Sequence, residues 1–176
     1  MRLELQDASR VLVDLRASGI LRAAGHDPTL VARPEPFAID FEPGGSDLAV
    51  DVRFRAATIR PPDDIPASDR AKMVDHMRGA EVLEVARFPS IDLHGRYSGT
   101  LDGGTLTGDL ELRGVARPIT MVVHVAHEGE RFLATGSWEG KLTSLGVKPF
   151  KALFGALRLE DWVRLRLEAC FAPPSG

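Results

Sequence analysis

The sequence predicts an all-β fold, an antiparallel up-and-down barrel of about eight strands with one short α-helical insertion. Three observations carry that prediction. First, residues 108–125 alternate: Leu110 and Leu112 with Asp109, Glu111 and Arg113, then Ile119, Met121, Val123 and Val125 with Thr120, Val122 and His124. A period of two places alternate side chains on opposite faces of a strand, so this stretch reads as a half-buried β-hairpin whose connection runs from Gly114 to Pro118. Second, the same alternation recurs on both sides of the hairpin. Third, helical spacing is confined to one stretch. Closing the sheet into a barrel also removes exposed strand edges. A two-sheet sandwich shares the same periodicity and stays open at this point.

Taken in order, the first strand covers residues 9–17, with Val11, Val13 and Leu15 on one face. A turn cluster follows, Gly25-His26-Asp27-Pro28, in which the proline forces Asp27 out of the helical region. Residues 29–33 and 37–41 read as short strands between prolines. Residues 48–56 form a clear strand with Val50, Val52 and Phe54 facing one way and Asp51, Arg53 and Arg55 the other. From 69 to 87 the period changes: Met73, Met77 and Ala80 fall on one side of a helix that Ser68 or Asp69 caps and Gly79 divides. Strand rules resume at 90–97 with Ile91 and Leu93. A later strand carries Ala134, Gly136, Trp138, Gly140 and Leu142 on one face, where small residues beside a tryptophan suggest a tight bend around something large and favour a cavity. Residues 145–157 break the alternation, with Phe150 and Phe154 beside Lys148 and Lys151; the last strand, 160–169, turns Val163, Leu165, Leu167 and Ala169 inward, and the tail from Phe171 is expected to fray.

A chain of 176 residues is long enough for one domain with a substantial core, here 1–176 with its ordered body at about 9–170. It is 44% hydrophobic and 27% charged with a formal net charge of -3, which lacks the basic footprint of a nucleic-acid binder. One cysteine, Cys170, excludes an intramolecular disulfide and tolerates a reducing compartment. The first ten residues lack the apolar core of a secretory signal, and no window approaches the ~18 apolar residues of a membrane span. The expectation is a cytoplasmic protein, or a periplasmic one if a leader has been removed.

Several segments together resemble the YceI-like family, the lipocalin-like polyisoprenoid-binding proteins. They are Gly25-His26-Asp27; His76-Met77-Arg78-Gly79 running on through Val82-Leu83-Glu84-Val85 to Phe88-Pro89-Ser90-Ile91; Gly108-Asp109-Leu110-Glu111-Leu112-Arg113-Gly114 with Pro118-Ile119; and the closing stretches Leu145-Gly146-Val147-Lys148-Pro149-Phe150 and Gly155 to Val163. The likeness keeps the family order across roughly residues 9–170. Leu142-Thr143-Ser144-Leu145-Gly146 stands where the family often has arginine-serine-aspartate-phenylalanine-glycine. The resemblance implies an eight-stranded antiparallel lipocalin-like barrel, with the helical insertion packed against it and a pore for a long isoprenoid or fatty chain.

The chemistry of such a pore is burial, since each CH₂ removed from water contributes about 0.8 kcal/mol. The candidate ligand-binding set is therefore the inward apolar residues Val52, Phe54, Ile91, Leu93, Leu110, Leu112, Met121, Val123 and Trp138, joined by Val50, by Met73 and Met77 as a deformable lid, and by Phe150 and Phe154. His26 and Asp27 are the polar pair placed to meet a head group at a barrel mouth, or to act as a base in an enzyme. Asp27 capping its own turn is the structural alternative. The histidines show no metal-ligand spacing, and no nucleophile motif or phosphate loop is present. Binding of a polyprenyl, quinone or fatty-acyl ligand without catalysis is the expectation, with no cofactor, no metal and no nucleic-acid partner; a homodimer is left open. Its rivals are an enzyme working through His26 and Asp27, and an interaction module with a filled barrel.

Overall fold

The computed structural model describes residues 1–19, 27–61, 63, 66–152 and 157–174. Its strands are β1 (Arg2–Leu5), β2 (Arg10–Gly19), β3 (Thr29–Ala32), β4 (Ala38–Asp40) and β5 (Ser46–Arg55), followed by the helix α1 (Ala67–Arg78). Then come β6 (Ser90–Thr100), β7 (Gly103–Leu112), β8 (Val115–Glu128), β9 (Arg131–Gly140), the short β10 (Lys151–Ala152) and the long β11 (Leu157–Ala172). Eight of them lie side by side in the order β3-β2-β11-β9-β8-β7-β6-β5, each paired antiparallel to its neighbours. The ends of this path come together where Val31 bridges Arg60, Pro34 bridges Phe54, and the Glu35 amide donates to the Arg53 carbonyl at 2.8 Å. The sheet is thus curled into a lipocalin-like barrel, as the alternation and the family resemblance predict.

The predicted hairpin is β7–β8, in register from Leu112 opposite Val115 to Gly103 opposite His124. Its connection is tighter than expected. Arg113 and Gly114 alone make the turn, both at positive φ (53° and 72°), the conformation of a two-residue turn that matches the twist of its strands. Pro118 therefore sits inside β8, opposite Asp109, rather than at a strand start. The missing N–H is tolerated there because pairing between β8 and β9 begins only at Val123 opposite Gly136, so residues 115–122 of β8 have β7 on one side alone among the described strands.

The helix also differs from its predicted limits. It begins at Ala67, and the Pro66 carbonyl accepts from the Asp69 and Arg70 amides, so neither Ser68 nor Asp69 caps it. Gly79 ends it in extended conformation, and residues 80–87 are turns rather than a second helix. Two strands' worth of chain behave as the alternation alone does not suggest. The N-terminus forms β1, which pairs Leu3 with Ile39 of β4 and Leu5 with Phe171 of β11. The tail expected to fray beyond residue 170 is strand through Ala172.

Two apolar clusters fill different parts of the barrel. At the helix end, Met77 packs with Leu15, Leu30, Phe54, Ile59, Ile91, Leu112, Leu145 and Val163. Nearer the other end, Leu93, Leu106, Ile119, Met121 and Val123 form a smaller cluster. Val52, Leu110 and Trp138 pack against both, so they lie at the level where the two meet.

Candidate functional site

The strands' inward residues do not fill the barrel evenly. On the side away from α1 they enclose a cavity of about 170 Å³ whose wall exposes only apolar surface. Its depth is set by β5, β6 and β7, which contribute Val50, Val52, Phe54, Leu93, Leu106 and Leu110. Ile119, Met121, Val123 and Val125 of β8 and Leu165, Leu167 and Ala169 of β11 continue the wall. Towards the mouth it is finished by Leu3 and Leu5 of β1, by Phe37, Ile39 and Phe41 around β4, and by Tyr97, Phe132 and Phe171. Two aromatic pairs stiffen this rim: Phe37 meets Phe171 edge-on at 5.8 Å, and Phe41 tilts against Tyr97 at 6.2 Å.

The polar atoms near this space are already engaged. Tyr97 donates its hydroxyl to the Thr100 carbonyl at 2.7 Å, and burial, with Asp102 nearby, pushes its phenol above the usual range. Ser9 accepts from the Cys170 amide at 3.0 Å. Arg10 is the cation at the cavity's edge, held by Glu168 at 2.7 Å. Such a lining can desolvate an apolar molecule.

The candidate residues divide between the two halves of the barrel. Val52, Phe54, Leu93, Leu110, Met121 and Val123 line the cavity, as does Val50. Ile91, Leu112 and Met77 do not; all three are buried in the helix-end core, and Met73 packs against that core. The two methionines therefore sit on the filled end and form no lid over the cavity. Trp138 is not in the cavity wall either. A Cβ on Gly140 would run into the Trp138 ring, and one on Gly136 would lie 3.2 Å from the Met121 sulfur. Gly140 makes room for the protein's own indole, and Gly136 for the Val122 carbonyl and the Met121 thioether, so the small residues beside the tryptophan are accounted for by the protein's own atoms.

Phe150 also belongs to the helix end, its ring 4.1 Å from that of His76. Asp27 is exposed and accepts from the Ala17 amide at 3.0 Å. Since β2 runs from Arg10, at the cavity's edge, to Gly19 at the other end, this bond places Asp27 away from the mouth. His26 and Phe154 lie outside the described residues.

The sequence reading missed the rim. Leu106 keeps the parity of Leu110 and Leu112, and Phe171 that of Val163 to Ala169, so both were within reach of the alternation. Leu3, Leu5, Phe37 and Phe41 depend on β1 docking across β4 and β11, a long-range contact that no local period reports. Among the described residues no group of three potential ligands is gathered to hold a metal ion, and no helix is long and apolar enough to cross a membrane.

The family model described as "YceI-like domain" matches residues 31–171. A UPF0312 protein of Shewanella denitrificans is 32% identical over 89 residues, which are 46% of this chain and 47% of that protein, so the match spans about half of the relative's length. The crystal structure of BcnA from Burkholderia cenocepacia superposes with a TM-score of 0.69 at 15% identity, covering 94% of this chain and 98% of that one. The YceI protein of Campylobacter jejuni superposes with a TM-score of 0.59 at 13% identity, over 91% of this chain and 85% of that one. At such identities the superpositions speak for the shared fold alone, while the family model covers most of the sequence: the chain belongs to the YceI-like family.

Proposed function

We propose that this protein binds an isoprenoid- or lipid-like molecule in the cavity opposite α1 and does not transform it. The observation that carries this reading is the unfilled, purely apolar space inside a barrel whose other half is close-packed. Protein interiors leave few voids larger than a water molecule, and an apolar cavity of this size favours an apolar occupant over water. Membership of a family of polyisoprenoid-binding barrels supports the same class of ligand. The bond from the Ala17 amide to Asp27, at the end of β2 remote from the cavity, speaks against the enzyme reading.

Native mass spectrometry of the purified protein, followed by solvent extraction and lipid analysis, tests the proposal. An adduct released as a prenyl, quinone or acyl species is the expected result. A clean apo mass, with no uptake of prenyl alcohols, quinones or fatty acids, would overturn it in favour of a barrel that serves as an interaction module.

A further inference from the structure

Among the described residues Phe54 occupies a position that no other aromatic residue shares: it lines the cavity and is also a member of the buried core at the helix end. It is 9% exposed, it lies opposite Ile91 in the β5–β6 register, and Pro34, another cavity residue, bridges to it across the barrel's closure. Around it Val52 and Leu110 line the cavity on one side and pack against the helix-end core on the other. Ile59, Met77, Ile91, Leu112 and Leu145, all under a tenth exposed, pack with Phe54 in that core, and none of them lines the cavity.

From this arrangement we infer that Phe54 is the floor of the binding cavity and sets the length of apolar chain the protein accepts. The inference rests on the lipid-binding reading and narrows it. A cavity of about 170 Å³ compares with engineered apolar cavities of about 150 Å³ that take up one benzene, which corresponds to roughly six to eight chain carbons. A long isoprenoid therefore places its terminal segment against Phe54 and leaves the remainder in the mouth between Phe37, Phe41 and Phe171, where burial is partial. The filled half of the barrel selects for short or terminally slender ligands.

Calorimetric titration of the full chain with the primary alcohols from pentanol to dodecanol reads the floor directly, because a neutral head group leaves Arg10 out of the comparison. For the wild type, affinity should rise about fourfold per added methylene, the equivalent of ~0.8 kcal/mol, and then level off near eight carbons. Phe54→Ala should move that levelling point to longer chains by at least two carbons. Phe54→Leu, which keeps most of the packing, should move it by a smaller step and serves if the alanine variant does not fold. A wild-type affinity that keeps rising to dodecanol, or a levelling point unmoved in both variants, would overturn the assignment of Phe54. Failure of the wild type to bind any member of the series would instead contradict the lipid-binding reading itself.

Discussion

The guanidinium of Arg166 grips the carboxylate of Asp14 side-on, Nε to Oδ2 at 2.6 Å and Nη2 to Oδ1 at 2.8 Å. Arg164 adds a bond at 2.9 Å and Thr29 another at 2.9 Å, so one acidic side chain ties β2, β3 and β11 together on the outer face of the barrel. Asp14 is only 7% exposed, which makes this cluster the polar clasp of the seam where the first and last long strands meet.

The Arg166 hydrogen bond, reinforced by Arg164 and Thr29 against the opposing cost of burial, holds the Asp14 carboxyl far below the usual carboxylate range. A depressed native value means that the unfolded chain binds the proton first as pH falls. The stabilisation is accordingly complete above about pH 5 and is lost progressively below the unfolded value near 4. Asp14→Asn should cost about 1–3 kcal/mol at pH 7. Urea denaturation of both proteins from pH 7 to 3 should show a constant gap down to about pH 5 that narrows below about pH 4. A gap that already narrows between pH 7 and 5 would assign the effect to another group.

Gly140 is required by Trp138, whose ring covers it. Gly140→Ala should displace the indole and destabilise the protein by about 1–3 kcal/mol, the usual cost of overpacking. The protein has two tryptophans, so the measurement belongs in a Trp162→Phe background, where emission reports Trp138 alone. A red shift with loss of stability is expected. An unchanged spectrum would contradict the packing of Trp138 between the two apolar clusters.

How far the sequence reading reached follows from the range of each interaction. The strands with inward Val50, Leu93, Leu110, Met121 and Leu165 were legible because alternation is local and each keeps it over several residues. Which of those residues face a cavity and which a filled core was not legible. Leu110 and Leu112 share a face of β7, yet only Leu110 reaches the cavity, because Leu112 lies two residues nearer α1. Period two reports the face and is silent on depth along the barrel. The methionines misled for a related reason: their adaptability suits a lid and a core alike, and the packing of Met77 against Ile59 and Ile91 decides for core.

Leu3 is 2% exposed although its strand is only four residues long. It joins β1 to β4 and closes the cavity's rim. Leu3→Ala should cost about 2–5 kcal/mol, a core-sized loss that an undocked strand would not show. Thermal unfolding followed by circular dichroism measures it. A change below about 0.5 kcal/mol would mean that β1 is not docked in solution.

Filling the cavity should separate binding from folding. Val50 lines it and stands opposite Gly95 of β6. Val50→Phe should abolish uptake of apolar ligand while leaving the unfolding midpoint unchanged or raised. Retained binding at wild-type affinity would place the ligand elsewhere.

The most direct test of where the ligand sits uses the four methionines, Met1, Met73, Met77 and Met121. Met121 lines the cavity, whereas Met73 and Met77 belong to the helix end. In a protein carrying ¹³C-labelled methionine methyl groups, titration with octanol should move the Met121 resonance and leave those of Met73 and Met77 in place. Movement of Met73 and Met77 with Met121 unchanged would contradict the account, putting the ligand beneath the helix instead of in the cavity opposite it.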